Sequence, residues 1–423
     1  MIKSVIDFSA HNRFLVISIT ALLVVIGVFS LKNIPLDAIP DLSDTQVIIY
    51  SRWDRSPDIL ENQVTYPIVS SMLGAPKVKS VRGVSDYGYS YVYVIFEDGV
   101  DLYWARSRVL ESLNRIQSQL PDGVKTEIGP DATSVGWVYQ YILKDESGKL
   151  TTADLRSIQD WTLKFQLQSV PGVAEVASIG GYVKQFQVKV DPTKLQLYNL
   201  SIKQVMDAVQ DANQESGGRT IEFSGAEAMI RSRALVESTE QIENAVISYG
   251  SNARSPILVK QVASVSIGAE MRRGITDFNG QGDVVGGIIV MRQGEDAPKV
   301  IEDVKNKIKE IKKYLPEEVS VKSVYDRSDL IERAIDTLKG TLIEELIIVS
   351  LIILLFLWHV PSAIVPIVTI PVSVLLAFIP LYIIGQSSNI MSLAGIAISI
   401  GVLVDGAIVE VVNAYKKIQA WDE

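Results

Sequence analysis

One carboxylate, that of Asp405, lies near the middle of a long apolar segment of the sequence. The segment runs from Asn389 to Tyr415, and Glu410 is its only other deeply placed ionisable residue. A carboxylate at bilayer depth costs about 2.5–3.5 kcal/mol on insertion scales, so a chain that keeps one generally uses it to bind an ion, pass a proton or pair with a distant cation. We expect proton or ion coupling at Asp405. The alternative is a structural aspartate that is satisfied by a neighbouring hydroxyl or lysine.

Small residues accompany this carboxylate. Ala397, Gly401 and Asp405 are spaced four apart, which places them on one face of a helix. Helices in a membrane approach each other closely where small residues meet. The sequence therefore predicts that this face packs against another helix, with Gly401 at the contact.

Four stretches of the sequence are long and apolar enough to cross a bilayer, which predicts a multi-pass membrane protein. The first is read as a retained anchor, because no small-residue cleavage site follows it. Lys3 and Arg13 precede the first stretch and Lys416-Lys417 follow the last, so both ends are predicted to be cytoplasmic and the long loop external. The predicted spans are Phe14–Leu31, Leu342–Trp358, Ala363–Ile384 and Ile390–Val412.

The composition offers few metal ligands and excludes several classes of function. The chain has no cysteine and only two histidines, His11 and His359, so a soft-metal site would have to use methionine, backbone or carboxylate. With 40 basic and 49 acidic residues, the net charge of −9 gives no sign of nucleic-acid binding. No phosphate-binding loop, zinc spacing or catalytic triad is present. We expect a protein that is not an enzyme and has no cofactor.

A repeated pattern organises the long loop. Helix-periodic stretches end at Leu120-Pro121, Val170-Pro171 and Leu315-Pro316, and a valine-rich strand follows each of them. Proline disfavours helix in the residue before it, so these are helix ends. The pattern predicts two units with the βαββαβ order of a ferredoxin-like fold, the second interrupted by an insertion.

The predicted fold class is thus an α+β membrane protein with four transmembrane helices and a large external domain. The first unit is predicted to contain strands 45–50, 78–84, 89–97 and 124–129 and helices 58–72 and 101–119. The second is predicted to contain strands 138–143, 173–179, 284–291 and 319–325 and helices 152–168 and 298–313. The predicted boundaries are an amphipathic segment with the first transmembrane helix (1–33), the first unit (34–134), the second unit (135–180 and 281–327), the insertion (181–280), a linker helix (328–341) and the remaining transmembrane helices with a cytoplasmic tail (342–423).

Seven short segments, spread along the chain, carry a resemblance to a known family. They are Ile39–Val47, Glu61–Pro67, Tyr91–Gly99, Leu102–Arg108, Gly129–Thr133, Met271–Ile275 and Asn389–Leu393. They resemble the heavy-metal branch of the resistance–nodulation–division (RND) efflux pumps, and the likeness runs from Met1 to about Trp421. It is greatest to pumps for monovalent copper and silver, since pumps for divalent metals usually carry an aspartate where this chain has Ser399.

The resemblance implies a trimeric antiporter of a bacterial inner membrane that exchanges protons for Cu(I) or Ag(I), taken from the periplasm and the cytoplasm. It implies a periplasmic adaptor protein and an outer-membrane channel as partners. The two ferredoxin-like units would be periplasmic porter subdomains, and the insertion would be a docking subdomain. The chain ends after the fourth predicted span. We therefore expect that it is inactive without a C-terminal half, which would carry a three-methionine metal site and a lysine facing the fourth span.

By this resemblance Asp405 is the proton-carrying group of the relay, and Gly401, four residues earlier, is the helix-packing glycine of the same motif. Family members usually carry a glutamate where this chain has Val412. Glu410 does not replace it, because five residues along a helix turn through about 500°, which puts Glu410 some 140° away from Asp405.

The resemblance also singles out two methionines. Met271 and Met391 stand where copper and silver pumps carry paired methionines thought to relay metal. Methionine is a soft ligand that suits Cu(I) and Ag(I), but a single methionine is more often a core residue than a ligand. Copper and silver pumps also carry methionines where this chain has Leu403 and Glu410, which weakens the prediction of a metal path from the cytoplasm.

Other charged residues have simpler interpretations. Glu344-Glu345, at the outer end of the second predicted span, could guard proton entry, although a solvated helix start is the simpler interpretation. Arg272-Arg273 are expected in a solvated turn or at a contact with a neighbouring subunit. Arg106 and Arg108 are expected to make structural ion pairs.

Two alternative functions stay open at this stage. One is an RND pump for divalent cations or for drugs, which tolerance tests with metal salts and dyes would distinguish. The other is a non-transporting, membrane-anchored protein that uses its external domain to bind partners. The second alternative predicts that the protein tolerates Asp405→Asn, whereas a pump would lose resistance.

Overall fold

A computed structural model describes residues 8–9, 11–232, 235–249, 255–272, 274–357 and 360–422. Most of the predicted amphipathic segment, the connector at His359 and the residue Arg273 lie outside these ranges. The chain forms two compact units. The domain boundaries predicted from the sequence do not coincide with these two units, and they stay a prediction. The first unit comprises Met1–Lys144, Thr162–Ser178 and Gly286–Glu423, and the second comprises Asp145–Trp161 and Ile179–Val285.

The helices and strands alternate through most of the chain and give way to three long helices at its end. The helices are α1 (Arg13–Asn33), α2 (Pro57–Leu60, the π-helical turn Glu61–Thr65 and Tyr66–Leu73), α3 (Leu102–Ile116), α4 (Thr152–Ile158, the π-helical turn Gln159–Leu163 and Lys164–Gln168), α5 (Pro192–Leu197), α6 (Ile202–Asp211), α7 (Thr239–Glu243), α8 (Val259–Val262), α9 (Ala297–Ile311), α10 (Arg327–Leu357), α11 (Val360–Ile384) and α12 (Ile390–Asp422). The strands are β1 (Gln46–Arg52), β2 (Val78–Asp86), β3 (Tyr89–Phe96), β4 (Lys125–Ile128), β5 (Trp137–Asp145), β6 (Val173–Gly180), β7 (Lys184–Val190), β8 (Ser216–Phe223), β9 (Ala226–Ser232), β10 (Val246–Tyr249), β11 (Pro256–Leu258), β12 (Ala263–Ala269), β13 (Val285–Met291) and β14 (Val319–Asp326).

The first sheet has the strand order β2-β3-β1-β4, and its neighbouring strands are antiparallel. Strand β1 alternates buried and half-exposed residues, as expected for a strand with one face on a core. That face packs against α2 and α3, and the core includes Ile49, Phe96, Ile68 and Val109. Helix α3 begins at Asp101, whose side chain accepts a hydrogen bond from the Trp104 amide at 2.8 Å. The predicted βαββαβ element order is confirmed here.

The second sheet has the order β14-β5-β13-β6. If the four strands of each sheet are numbered 1 to 4 in chain order, both sheets have the order 2-3-1-4, the second being read from β6 to β14. The two sheets match although an insertion separates β6 from β13. Helix α9 is capped by Asp296, whose carboxylate accepts the Lys299 amide at 3.2 Å, and Pro298 occupies its first turn. The predicted interruption of the second unit is thus present between β6 and β13.

The insertion, which belongs to the second compact unit, has a small core of its own. Strands β7 and β12 pair antiparallel in register from Val190 and Ala263 onwards, and β8 pairs with β9 as a hairpin. Helix α6 begins with a capping box in which the Ser201 and Gln204 side chains bond each other's amides. The core of the insertion contains Ile242, Ala245, Val259 and Ala263.

Two helices are long and apolar enough to cross a membrane: α1 and the Ile390–Ala414 part of α12. They correspond to the first and fourth predicted spans. In α11 the apolar part Val368–Ile384 is shorter than a membrane span requires. In α10 the described apolar part after Glu345 is also too short to cross a membrane. Within the described ranges, the structure therefore supports two spans and not four.

Helix α1 packs closely against α11. A Cβ built on Gly27 would lie 2.8 Å from the backbone oxygen of Leu375, so only glycine allows this approach. Further along, the rings of Phe29 and Tyr382 meet edge to face with centroids 5.9 Å apart. Helix α12 joins the same cluster with Leu393, Ile396 and Ile400, which are buried with Ile34, Ile370 and Phe378.

Candidate functional site

Among the side chains described, helix α12 buries one face against the other helices. Its buried residues Leu393, Ile396, Ile400 and Val411 are spaced by three, four and eleven positions, which keeps them within one narrow stripe. Asp405 lies about 120° around the helix from Leu393, and it is exposed. The carboxylate therefore stands outside the packed face.

From Met391 to Val409 the exposed side of α12 that carries Asp405 is otherwise apolar, and Lys416 is exposed further along the same side. We call this side between Met391 and Val409 the Asp405 face. Its exposed members lie within about 60° of one another around the helix axis. Among the residues described, Asp405 has no hydrogen bond or ion pair. The other members of the face are Met391, Ile398, Val402 and Val409.

Gly401 lies beside the Asp405 face and is open. No heavy atom lies within 4 Å of the position a Cβ would take at Gly401, nor at Gly406. Within the described part of this chain, α12 turns its Leu393 stripe and not this glycine towards the neighbouring helices. The contact of Gly401 with another helix therefore stays a prediction.

The residues that depart from the expected relay motif, Glu410 and Val412, differ in exposure, and so do the two glutamates of α10. Glu410 is exposed and lies on another side of α12 from Asp405, in keeping with the angle expected from the sequence. Val412 is half-buried. On α10, Glu344 is exposed, whereas the Oε2 atom of Glu345 is buried without a hydrogen-bond partner among the residues described.

The two candidate metal-relay methionines are both exposed, each by 68%. Met391 begins the Asp405 face, and fourteen residues of helix place it about 21 Å along the axis from Asp405. The two therefore belong to one face but not to one site. Met271 lies in the second compact unit, at the rim of a cavity of about 300 Å³ that is also lined by Arg156, Glu270 and Thr276.

The surroundings of Met271 provide no complete metal site. Arg272 next to it is tied to Asp283 by an ion pair of 2.8 Å. No group of three or more histidine, aspartate or glutamate residues is placed to hold a metal ion in the described ranges. Met271 thus offers a single thioether, and its role as a metal ligand stays a prediction.

The arginines of α3 take structural roles. Arg108 pairs with Glu111 at 2.7 Å, as expected. Arg106 makes no ion pair among the described residues and donates instead to the backbone oxygen of Gly129 at 2.7 Å. Neither points to a substrate.

The N-terminal end of α12 is held by a network that the sequence did not indicate. The Asn389 side chain accepts the Ser392 amide at 3.0 Å, and the Ser392 hydroxyl accepts the Asn389 amide at 2.8 Å. The residues before Asn389 bond to the segment that follows α1, and Asp37 in that segment is paired with Arg327 at the start of α10. Asp37 and Arg327 are 290 positions apart in the chain, so no local pattern could have joined them.

Asp326, the residue before α10, is partly buried. Burial alone would raise the pKa of Asp326, but hydrogen bonds from Lys305 and Ser328 outweigh it and hold the pKa below its usual value. The carboxylate is therefore charged at neutral pH and keeps Lys305 of α9 bound to the end of β14.

Comparisons with known proteins agree along the whole chain. The model of the AcrB/AcrD/AcrF family matches residues 5–423. The cation efflux system protein CusA of Escherichia coli K12 is 50% identical over 422 residues, which are 100% of this chain and 40% of CusA. The cobalt-zinc-cadmium resistance protein CzcA of Cupriavidus metallidurans CH34 is 35% identical over 426 residues, 99% of this chain and 40% of CzcA.

A solved structure shows the same fold. The crystal structure of a heavy metal efflux pump superposes with a TM-score of 0.83 at 30% identity, covering 96% of this chain and 40% of that pump. The chain thus spans about two-fifths of the length of the curated relatives and of the solved structure that it matches.

Proposed function

Because the chain belongs to the AcrB/AcrD/AcrF family of the RND pumps, we propose that it is the N-terminal part of a proton/heavy-metal antiporter. The observation that carries this proposal is the 50% identity to a cation efflux protein along 100% of the chain. We assign Cu(I) or Ag(I) as the exported metal, in the bacterial inner membrane, with the large loop in the periplasm. The 35% identity to the cobalt-zinc-cadmium protein makes divalent cations the second candidate.

The Asp405 face supports the assignment of Asp405 as the proton carrier. A carboxylate exposed to lipid would cost about 2.5–3.5 kcal/mol, so this face needs a cover. The rest of such a pump, about three-fifths of its length by comparison with the relatives, would supply it. We infer that a cation on that cover pairs with Asp405 when the carboxylate is charged.

The proposed coupling follows from the two protonation states. With Asp405 charged, a facing cation is attracted and draws the helices together; with Asp405 neutral, that attraction is lost. Each proton that enters or leaves therefore changes which helix arrangement is the more stable. The chain alone contains only one side of this pair, so we expect it to be inactive by itself.

The finer architecture belongs to the same proposal. We assign the two four-stranded sheets to ferredoxin-like porter subdomains and the insertion to a docking subdomain. The helices α10 and α11 would complete a set of four spans. The finished pump would form a trimer and bind a periplasmic adaptor and an outer-membrane channel. Met271 and Met391 would pass metal to methionines of the remaining part.

The decisive experiment replaces Asp405 by asparagine in a pump completed with its C-terminal part. We expect loss of tolerance to silver and copper salts in a metal-sensitive host, at unchanged protein abundance on an immunoblot. Glu410→Gln is the matched control, since it makes the same chemical change on another side of α12, and we expect it to keep tolerance. Retained tolerance in Asp405→Asn would contradict the proton-carrier assignment. Tolerance to zinc, cobalt and cadmium alone would favour the divalent alternative.

A further inference from the structure

The short segment between α1 and β1 joins several distant parts of the first compact unit. We call residues 34–38 the linker segment. Ile34 and Ala38 at its ends are buried, with 3% and 1% exposure. Its backbone pairs with the loop before α12, because the Asp37 amide donates to the Ser388 oxygen at 3.0 Å and the Ser388 amide donates to the Pro35 oxygen at 2.9 Å. The linker segment is thus bonded to the N-terminal end of the helix that carries Asp405.

The same segment is bonded to the second sheet and its helix. The Leu36 oxygen accepts the amide of Ala297, the first residue of α9, at 3.2 Å. The Asp37 carboxylate accepts two bonds from Nη1 of Arg327, at 3.2 and 3.3 Å. Nη2 of Arg327 donates to the backbone oxygen of Trp137, the first residue of β5, at 3.0 Å.

Arg327 is the centre of these contacts, and we call the set formed by the linker segment, Arg327 and Trp137 the joint. Its side chain is 4% exposed, and its guanidinium holds three segments together: the linker segment, the start of β5 and its own position between β14 and α10. Arginine suits this task because its planar group donates to a carboxylate and a carbonyl at once. A lysine has one nitrogen and could not make both contacts in the same geometry.

The helix α12 can carry a movement from Asp405 to this joint. Fifteen residues separate Asp405 from Ile390, which corresponds to about 22 Å of rigid helix. Helix shifts in switching proteins are about 1–2 Å, and such a shift would break hydrogen bonds of 2.9–3.0 Å between the loop and the linker segment unless the two moved together. The linker segment would then pull on Arg327 and through it on β5.

We propose that Arg327 is a positioning residue that couples movement of the Asp405 helix to the second sheet through the linker segment. This inference rests on the proposed function, since it assumes that protonation of Asp405 moves α12. Loss of the guanidinium removes the connection from the linker segment to β5, so that α12 can move while β5 stays behind.

The first test measures transport in proteoliposomes holding the completed pump. A single substitution on a coupling network typically changes the coupling by about two- to thirty-fold. We therefore expect Arg327→Gln to lower silver transport by that factor, while proton movement falls less. The matched control is Arg292→Gln, which breaks an ion pair of 3.2 Å with Asp131 that does not involve the linker segment. Arg327→Lys should recover part of the lost transport. Equal losses of proton and silver movement in Arg327→Gln would point to a merely structural role and overturn the proposal.

The second test does not depend on transport. Hydrogen exchange of the completed pump is compared between Asp405 and Asp405→Asn, once with Arg327 and once with Arg327→Gln. We expect the amides of β5 to respond to Asp405→Asn only when Arg327 is present, while those near Ile390 respond in both. An equal response of β5 in both backgrounds would overturn the joint. If the wild-type pump moves no metal but the exchange pattern holds, the proposed function fails and the joint stands.

Discussion

A row of hydroxyl groups crosses the first sheet and gives a sharp prediction of stability. Ser85, Ser90, Ser51 and Thr126 come from the four strands and are neighbours in register, so their side chains share one face. Thr65, from the π-helical turn of α2, lies over this row, and its Oγ1 is 2.7 Å from the hydroxyls of both Ser85 and Ser90. The sheet thus carries a polar stripe under the buried side of α2.

The fit of Thr65 leaves little freedom. Its side chain is fully buried, and Ser90 is exposed by 1%. A Cβ at Gly83 would come within 2.6 Å of the Thr65 methyl group, so the glycine makes room for the threonine. Thr65→Val keeps the shape and removes only the hydroxyl.

The expected cost follows from what Thr65→Val leaves behind. The Ser90 hydroxyl, for which Thr65 is the hydrogen-bond partner, stays buried without one, and this costs about 1–3 kcal/mol. The Ser85 hydroxyl is spared because it also bonds Glu61 at 2.5 Å. Ser90→Ala alone leaves Thr65 bonded to Ser85, so we expect a loss of about 1 kcal/mol.

A double-mutant cycle separates the hydroxyl pair from the surrounding packing. Thr65→Val with Ser90→Ala removes both partners, so the combined loss should be smaller than the sum by about 1–2 kcal/mol. Ser43→Ala is the control, because it breaks a hydroxyl contact of 3.0 Å with Ser134 at the surface, and it should cost less than about 0.5 kcal/mol.

Hydrogen exchange of the β3 amides, measured on the detergent-solubilised chain under conditions where exchange reports the opening free energy, is the suitable assay. Two results would refute the reasoning. One is a change below about 0.5 kcal/mol in Thr65→Val, which would mean that water reaches Ser90. The other is strict additivity in the double variant, which would mean that the two hydroxyls do not interact.

Two further predictions concern other contacts. Gly27→Ala should destabilise the helices by about 1–3 kcal/mol through overpacking against Leu375, seen as a lower melting temperature in detergent, whereas Gly395→Ala, with open space around it, should not. Hydrogen bonds from Lys184 and Thr151 lower the pKa of Asp154 to about 2 from 3.8, so its stabilisation is complete above pH 4 and lost as the pH falls towards 2. With about a third of that side chain exposed, the contribution should not exceed about 1 kcal/mol, and unfolding followed against pH should show a shallower dependence in Asp154→Asn.

The strands and helices of the two sheet-forming units could be predicted because apolar periodicity and helix-ending prolines indicate the same element boundaries. The strand predicted at 89–97 is Tyr89–Phe96, and the helix predicted at 298–313 is Ala297–Ile311. Alternating apolar residues and the proline after each helix carry this information locally. The π-helical turns in α2 and α4 were not predicted, because one extra residue in a turn hardly disturbs the apolar periodicity of a short helix.

The candidate site shows a different limit. Asp405 stood out in the sequence because a lone carboxylate in an apolar segment is costly. Which side of α12 packs could not be derived, since the helix is apolar nearly all round and its hydrophobic pattern has no preferred face. The pairing of Asp37 with Arg327 is a contact between distant parts of the chain, which periodicity and spacing do not encode.

The exposed Asp405 face and the open Gly401 beside it call for the same kind of cover. A carboxylate cannot face lipid cheaply, and a glycine in a membrane helix is useful where a neighbouring backbone comes close. A second helix that carries a cation opposite Asp405 and packs over Gly401 would meet both needs at once. A loop or a sheet edge would not, because it would leave its own backbone groups unsatisfied in the bilayer. The missing neighbour is therefore expected to be a helix of the remaining part of the pump, and Gly401→Leu should weaken association of the two parts when they are expressed separately and co-purified. Gly395→Leu, on the same helix but about 120° away from Gly401, serves as the matched control, and equal co-purification of both variants with wild type would refute this placement of the helix.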